Sequence, residues 1–415
     1  MRAVLPRAVL RRAVLRRGAN TRRSASFGRV LVANRGEIAL RIMRACAAEG
    51  LESVAVCARE DASSAHVAAA TTSVVIGHES SSGGSEGGPI APYLDVDGIV
   101  AAALASGAGA VHPGYGFLSE SAALAGACAA NGLVFVGPSA AAIDTFGDKV
   151  TARALATDLG VPVARGSGEG DAFAAGADVE AWLAAEGLEF PVMLKAASGG
   201  GGRGMRVCRS MAEVAPNFER CSSEAAAAFG DSRVFVEEFV EDAKHLEVQV
   251  LWDAHGDGVH LFERDCSVQR RNQKVVEWSP PRDLCEELRS TLTSSALDLT
   301  RAAGYANAGT VEFLVRGRLD DATSRAFFME VNPRIQVEHT VTELTTGVDL
   351  VRCQLRVARG ETLAAIAARG DVGAVFPQSA VEAKNWAMQC RVSVAPPTKP
   401  EHTGVLAAYD GPAGH

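Results

Sequence analysis

"KAASGGGGRGM", residues 195–205, decides how the rest of the chain is read. Four consecutive glycines, Gly199, Gly200, Gly201 and Gly202, lie between a lysine and an arginine, and Gly204 follows. Glycine brings no side chain to a core and loses more conformational freedom on ordering than any other residue. A run of it belongs where backbone must come close to something else. Successive backbone N–H groups in such a loop form a nest for an anion, as in phosphate sites. Two common phosphate loops do not fit. A Walker loop ends in Gly-Lys-Ser/Thr, which is missing here, and the dinucleotide fingerprint opens a helix, whereas "GMRVC" (204–208) reads as a strand. A second strand precedes the glycines in "FPVMLKAA" (190–197). The stretch is therefore predicted to be the tip of a hairpin, a flap over bound phosphates, with Lys195 beside it to offset their charge. A solvated turn is the plainer alternative.

Upstream, "RVLVANRGEIALRIMRACAAEGLESVAVC" (29–57) reads as a buried strand, a glycine turn, an amphipathic helix with Ile38, Ile42 and Cys46 at helical spacing, and a second strand. That is a βαβ opening, so a parallel pair is expected. "ESSSGGSEGGP" (79–89) is a polar loop. Helix, strand and glycine turn recur in "IVAAALASGAGAVHPGYGFLSES" (99–121), and "LVFVGPS" (133–139) supplies another short buried strand. Residues 29–145 are expected to form a doubly wound α/β domain, with the 112–121 loop at the strand ends where such sheets place ligands. Downstream of 146 the pattern changes to antiparallel hairpins interrupted by helices, an α+β domain. Its strands are "RVFVEEFV" (233–240), "HLEVQVLWDAHGDGVHLFERDCSVQ" (245–269) and "AGTVEFLVRGRLDDATSRAFFMEVNPR" (308–334).

The second half carries the chemistry. In "FMEVNPRIQVEH" (328–339) Glu330, Asn332 and Arg334 alternate, which puts them on one face of a strand. Glu312, in "GTVEFLV", lies on the preceding strand of the same hairpin. Two carboxylates on neighbouring strands repel unless a cation lies between them, and hard oxygen ligands suit Mg2+ bridged to phosphates. A salt-bridged polar sheet face is the alternative. Lys149, in "FGDKVTAR" (146–153), is a second candidate phosphate lysine, and "RDCSVQRRNQKVVE" (264–277) holds Arg270, Arg271 and Lys274 close together. Such a basic strand is either a solvated edge or the seat of an anionic substrate. Glu338, near Arg334, is a candidate general base.

The chain has 415 residues, 47% hydrophobic and 22% charged, with net charge −8. This balance argues against a nucleic-acid binder, and no apolar run is long enough for a membrane span. Nine cysteines are scattered without a Cys-x-x-Cys pair, as expected of reduced thiols without a zinc site. Residues 1–28 are rich in arginine and lack acids, since the first carboxylate is Glu37. That is the composition of a transit peptide, mitochondrial rather than plastid because arginine outweighs serine, although the "RAVL" unit repeats too often to give one clean amphipathic face. A disordered basic tail is the alternative.

In this order, "VANRGEIALRIMRA", "VHPGYGFLSE", "GDKVTAR", "KAASGGGGRGMRV", "HLEVQVL", "RDCSVQRRNQKVVE", "NAGTVEFLV" and "EVNPRIQVEHTVTE" resemble the biotin carboxylase domain of biotin-dependent carboxylases, a branch of the ATP-grasp superfamily. The resemblance spans residues 29–355, and its wording is most similar to the pyruvate carboxylases. It implies that ATP and bicarbonate form carboxyphosphate, whose CO2 passes to N1 of biotin on another domain. It also implies roles. Lys149, Lys195 and the loop from Gly199 to Gly204 hold phosphates. Glu237, His245 and Gln269 line the nucleotide, with Glu237 near adenine and His245 near ribose. Glu312, Glu330 and Asn332 bind Mg2+ or Mn2+. Lys274 and Arg334 hold bicarbonate, Glu338 takes its proton, and Arg391, in "MQCRV", stabilises the biotin enolate.

The resemblance further implies an ATP-grasp domain over 146–355, with its flap within 165–240, and the start of a C-terminal domain over 356–415. After Arg391 the family pattern continues through a further sheet, so this domain is expected to be incomplete. A biotin carrier domain and a carboxyltransferase domain are the implied partners, in a homo-oligomer. Glu238 stands where the family usually has lysine, Asn272 where many members have histidine, "WSPP" (278–281) replaces a small-residue motif, and the 79–88 loop is long. Three readings compete with a pyruvate carboxylase-like enzyme. They are the same module of an acyl-CoA carboxylase, an inactive ATP-binding remnant, and an NAD-binding oxidoreductase, which lacks its glycine fingerprint.

Overall fold

The computed structural model describes residues 26–78, 85, 87–168, 171, 173–198 and 204–392. The basic segment 1–25, most of the long polar loop, Gly199–Gly202 and residues 393–415 lie outside the described residues.

The N-terminal part alternates β1 (Arg29–Val32), α1 (Gly36–Ala48), β2 (Glu52–Cys57), α2 (Ala65–Ala69), β3 (Thr72–Val75), α3 (Val96–Ala105), β4 (Ala110–His112), α4 (Ala122–Ala130) and β5 (Val134–Phe135). The strands pair in parallel in the order β3-β2-β1-β4-β5, so the chain winds both ways from β1. Successive side chains of a strand point to opposite faces. Val30 and Val32 accordingly join Ile38, Ile42 and Cys46 of α1 on one side. Leu31 joins Ile99 of α3 and Leu124 of α4 on the other. The expected buried strand at 133–139 is only two half-buried residues, because β5 is an edge with one partner.

Two helices lead onward, α5 (Ala140–Gly147) and α6 (Lys149–Asp158). The Asp148 side chain caps α6 by accepting from Thr151 N at 2.9 Å. A cap of this kind satisfies an otherwise orphaned N–H and fixes where the helix starts. Lys149 and Arg153, four residues apart, then share a helix face.

A small antiparallel sheet follows, from α7 (Gly176–Glu186), β6 (Val192–Ala196), β7 (Met205–Cys208), α8 (Val214–Phe229) and β8 (Val234–Glu238), in the order β7-β6-β8. The glycine stretch does connect two antiparallel strands, with Lys195 paired to Met205. Helices α7 and α8 cover one face through Val179, Leu183, Phe218 and Cys221.

The large sheet is built from β9 (Lys244–Trp252), β10 (Gly258–Arg270), β11 (Gln273–Ser279), α9 (Glu286–Ala302), β12 (Asn307–Arg316) and β13 (Arg325–Asn332). It is followed by α10 (His339–Thr346), α11 (Leu350–Ala358), α12 (Leu363–Arg369) and β14 (Ala387–Cys390). Its six strands run β13-β12-β9-β10-β11-β14, all antiparallel. Leu288, Leu292, Ala296 and Leu299 of α9 form a helical stripe against Trp252 and Phe313. Each such leucine contributes about 1.5–3 kcal/mol through burial. Among the described residues β14 extends this sheet rather than starting another.

The two halves are joined by ion pairs centred on the buried Glu49 carboxylate. At the end of α1, Glu49 accepts from Arg352 at 2.6 Å and from Arg356 at 2.7 Å. Arg356 also reaches Asp371 at 2.7 Å. Among the described residues no helix is long and apolar enough to cross a membrane, and no cysteine is disulfide-bonded.

Candidate active site

Strand register sets the chemistry. Glu312 of β12 lies directly opposite Glu330 of β13 on one side and Glu247 of β9 on the other. Like charges facing each other across strands are destabilising, so three carboxylates in a row require cations. Lys274 supplies the main one. Its Nζ donates to Glu247 Oε2 at 2.5 Å, Glu312 Oε1 at 2.8 Å and Glu338 Oε1 at 2.8 Å. Burial pulls the Lys274 ammonium down, but these carboxylates outweigh it and raise it well above the ordinary lysine value. Glu330 is matched separately by Lys149, at 2.5 Å.

Lys274 is delivered by a tight hairpin. Arg271 and Asn272 connect β10 to β11 with φ of 52° and 60°. Two left-handed residues in a two-residue loop match the twist of the strands, and asparagine tolerates that conformation well. This accounts for Asn272.

Glu338 closes the far side. Its Oε2 accepts from Arg391 Nη2 at 3.0 Å, opposite the oxygen held by Lys274. Burial pushes the Glu338 carboxyl up, but Lys274, Arg264 and Arg391 together outweigh it and hold it at about 2. Arg334 lies just past the end of β13 rather than on the strand, yet still faces the same cavity. It donates to Asn332 Oδ1 at 2.9 Å and to Glu120 at 2.6 Å. The 112–121 loop thus reaches the site, with Tyr115 and Gly116 on the cavity wall.

At the other end, Lys195 and Arg153 both pair with the buried Glu237, Arg153 at 2.6 Å. Burial raises the Glu237 carboxyl, but these two cations outweigh it and hold it below its ordinary value. Around them Met193, Phe239, Val240, Leu314 and Met329 give an apolar wall suited to a flat base. Glu238, the charge reversal noted in the sequence, pairs with Arg316 at 2.5 Å. His245 Nδ1 accepts from Gln269 at 2.7 Å, which leaves Nε2–H to donate to Glu312 Oε2 at 2.6 Å.

The whole forms one open cavity of about 1250 Å³. It brings together Lys149, Lys195, Glu237, His245, Gln269, Lys274, Glu312, Glu330, Asn332, Arg334, Glu338 and Arg391. Gly204, which follows the glycine run, has φ of 66°. The donor chemistry fits Mg2+, since Glu312 and Glu330, both hard oxygen donors, face each other in register, and Asn332 lies beside them with its amide NH2 donating to Glu312 at 2.8 Å. Two further groupings have ligand atoms within 4.8 Å of one another, His245–Glu247–Glu312 and Glu247–Cys266–Glu338.

Several contributors escape a reading of the sequence. Arg264 is fully buried and donates to Glu247 at 2.5 Å, Gln249 at 2.7 Å, Gln336 at 2.8 Å, Thr342 at 2.9 Å and Thr310 at 3.2 Å. Gln336 in turn donates to Glu312 at 3.0 Å. Glu247 had one visible signal, a carboxylate amid the buried run of "HLEVQVL". Glu120 had none, since its partner Arg334 is 214 residues away.

Antiparallel β6 and β7 on either side of the glycine run, with a larger antiparallel sheet on which Glu247, Glu312 and Glu330 line up in register, define the class, an ATP-grasp ligase. Known proteins narrow it. Residues 26–143 match the biotin carboxylase N-terminal domain, and residues 148–366 match the carbamoyl-phosphate synthase L chain ATP binding domain. The biotin carboxylase domain dimer of Hydrogenobacter thermophilus 2-oxoglutarate carboxylase, solved with MgADP, ADP and bicarbonate, superposes with a TM-score of 0.81. It is 38% identical, over 90% of this chain and 76% of that one. Pyruvate carboxylase of Aspergillus terreus is 45% identical over 94% of the chain and 31% of its own length. Mitochondrial pyruvate carboxylase of Rattus norvegicus is 45% identical over 89% and 30%. The chain belongs to the biotin carboxylase family. It spans about a third of the length of these pyruvate carboxylases.

Proposed function

We propose that this chain carboxylates carrier-bound biotin with bicarbonate, using ATP and Mg2+, as the biotin carboxylase part of a pyruvate carboxylase-like enzyme. The observation that carries this reading is the convergence of Lys274 and Arg391 on the two oxygens of Glu338. Cations on both sides of this carboxylate seat one small anion against it and keep it ionised as a proton acceptor, and an anion that draws Lys274 onto itself leaves Glu338 more basic. Lys149 and Lys195 hold the phosphates, together with the glycine hairpin, and His245, Gln269 and Glu237 line the nucleotide. Glu312, Glu330 and Asn332 would hold Mg2+ or Mn2+, which when bound offsets phosphate charge. Lys274 and Arg334 hold bicarbonate beside the γ-phosphate, and Glu338 removes its proton so that its oxygen attacks the γ-phosphorus, whose bond to the bridging oxygen breaks to release ADP and leave carboxyphosphate. Bringing two anions together in this way is a task for fixed cations in a water-poor site.

The test is Glu338→Gln. Bicarbonate-dependent ATP cleavage is expected to fall by a factor of at least about 10², with ATP binding retained, as measured by coupled ADP release and nucleotide titration. Wild-type turnover in that variant would refute the assigned base. Pyruvate as the final acceptor is supported by the pyruvate carboxylases among the relatives. The arginine-rich residues 1–28 and the mitochondrial relative support a mitochondrial location. A biotin carrier domain, a carboxyltransferase domain and a second copy of the chain are the partners this role requires.

A further inference from the structure

Glu277 ends the motif that begins at Arg264, yet the reaction proposed above assigns it no part. It sits on β11 between β10 and β14, and its side chain is fully buried. The register of β11 with β14 sets Glu277 opposite Gln389. Arg391, two residues beyond Gln389, donates its backbone N–H to Val275 at 2.8 Å. Glu277 and Arg391 are therefore diagonal neighbours on one sheet face, within reach of long side chains. Arg391 Nε donates to Glu277 Oε1 at 2.7 Å, while Nη2 of the same guanidinium donates to Glu338 Oε2 at 3.0 Å. One arginine thus bridges two carboxylates, one buried behind it and one facing the cavity.

The second oxygen of Glu277 is buried without a hydrogen-bond partner among the described residues. Such an oxygen bears its full desolvation penalty, and burial pushes the Glu277 carboxyl up accordingly. An apolar side chain of similar volume would avoid that penalty, so packing does not account for a carboxylate here. Its hold on Arg391 does. The Arg391 side chain is 36% exposed at the cavity mouth, where an untethered guanidinium turns to solvent or collapses onto Glu338.

We propose that Glu277 is a positioning residue, clamping the Nε edge of Arg391 so that the rest of the guanidinium stays presented to biotin beside Glu338. The proposal rests on the reading of Arg391 as the biotin contact. In the whole 415-residue chain, with free biotin varied, Glu277→Gln and Glu277→Ala are expected to raise the KM for biotin about tenfold or more. The KM for ATP should stay within about twofold, a difference well under 1 kcal/mol. Glu277→Asp, which keeps the charge, should lose less than Glu277→Ala. Equal losses in the two KM values, together with a lowered melting temperature, would mean a merely structural role and overturn the proposal, as would an unchanged biotin KM. A second measurement needs no turnover, a melting-temperature cycle of Glu277→Gln with Arg391→Met. Non-additive shifts are expected, and additive shifts overturn the clamp. A wild-type chain that cleaves no ATP would count against the proposed function, while the cycle still decides the pairing.

Discussion

Lys274 compensates three carboxylates with one ammonium, so its removal leaves more than a broken contact. Lys274→Met leaves Glu247 to Arg264, Glu312 to His245 and Glu338 to Arg391 in a buried cluster short of one positive charge, and breaking a buried pair in this way costs about 3–5 kcal/mol. The pH dependence has a definite sign. Glu338 is held at about 2, below its ordinary 4.5, so its contribution to stability is complete above about pH 4.5 and lost as pH falls toward 2. Urea denaturation should therefore show the largest gap between wild type and Lys274→Met above pH 4.5, closing toward pH 2, and Mg2+ should narrow it at neutral pH. A gap that persists unchanged in acid would mean the loss comes from packing. At this scale the sequence was informative where chemistry repeats along one strand, as with Glu330 and Asn332. It was silent on the role of Arg264, and marked Glu247 only as a carboxylate in an apolar run, because the partners of both come from other elements.

Among the elements, the small sheet β7-β6-β8 shows how backbone proximity positions side chains. Gly166 bridges to Glu237 of β8, and a Cβ there would meet Val236 O at 2.4 Å and Glu237 Cα at 2.8 Å. Neither is the free end of a flexible side chain. Gly166→Ala is expected to displace β8 and, with it, the Glu237 carboxylate that holds Lys195 and Arg153. The KM for ATP should rise on the order of tenfold, with the KM for bicarbonate unmoved, because Lys274 lies on the other sheet and Arg334 just past the end of its β13. Initial-rate kinetics in each substrate would check this, and parallel changes in both would contradict it. The hairpin around the glycines was legible because strand patterns flank it on both sides. The role of Gly166 was not, since nothing local marks an isolated glycine as lying against a strand some 70 residues later.

Across the whole molecule, the N-terminal α/β part is held to the large sheet by charge as well as by apolar packing. Arg356 is 2% exposed and Glu49 3%. Arg356→Ala would leave Glu49 with Arg352 as its remaining partner, at a cost of about 1.5–3 kcal/mol. The midpoint of thermal unfolding should fall by several degrees. Activity should fall as well, since Glu120 reaches Arg334 from the N-terminal side, and an unchanged midpoint would show the pair to be dispensable. The order of the motifs made two domains legible, but not this seam, because its residues lie on separate helices that read as ordinary amphipathic surface.

The pairing of each cavity lysine with a carboxylate also bears on which ligands the site accepts. A cavity whose charges already satisfy one another works by exchange, and a newcomer must offer more than the partners it displaces. A small monovalent anion away from Lys274 and Arg334 can replace one contact at most and gains little. With the roles proposed above, a triphosphate arriving with its metal would release Lys149 and Lys195 together while the metal would take over Glu312 and Glu330. Selectivity for such a ligand then follows from valence, before any atom of the base is read.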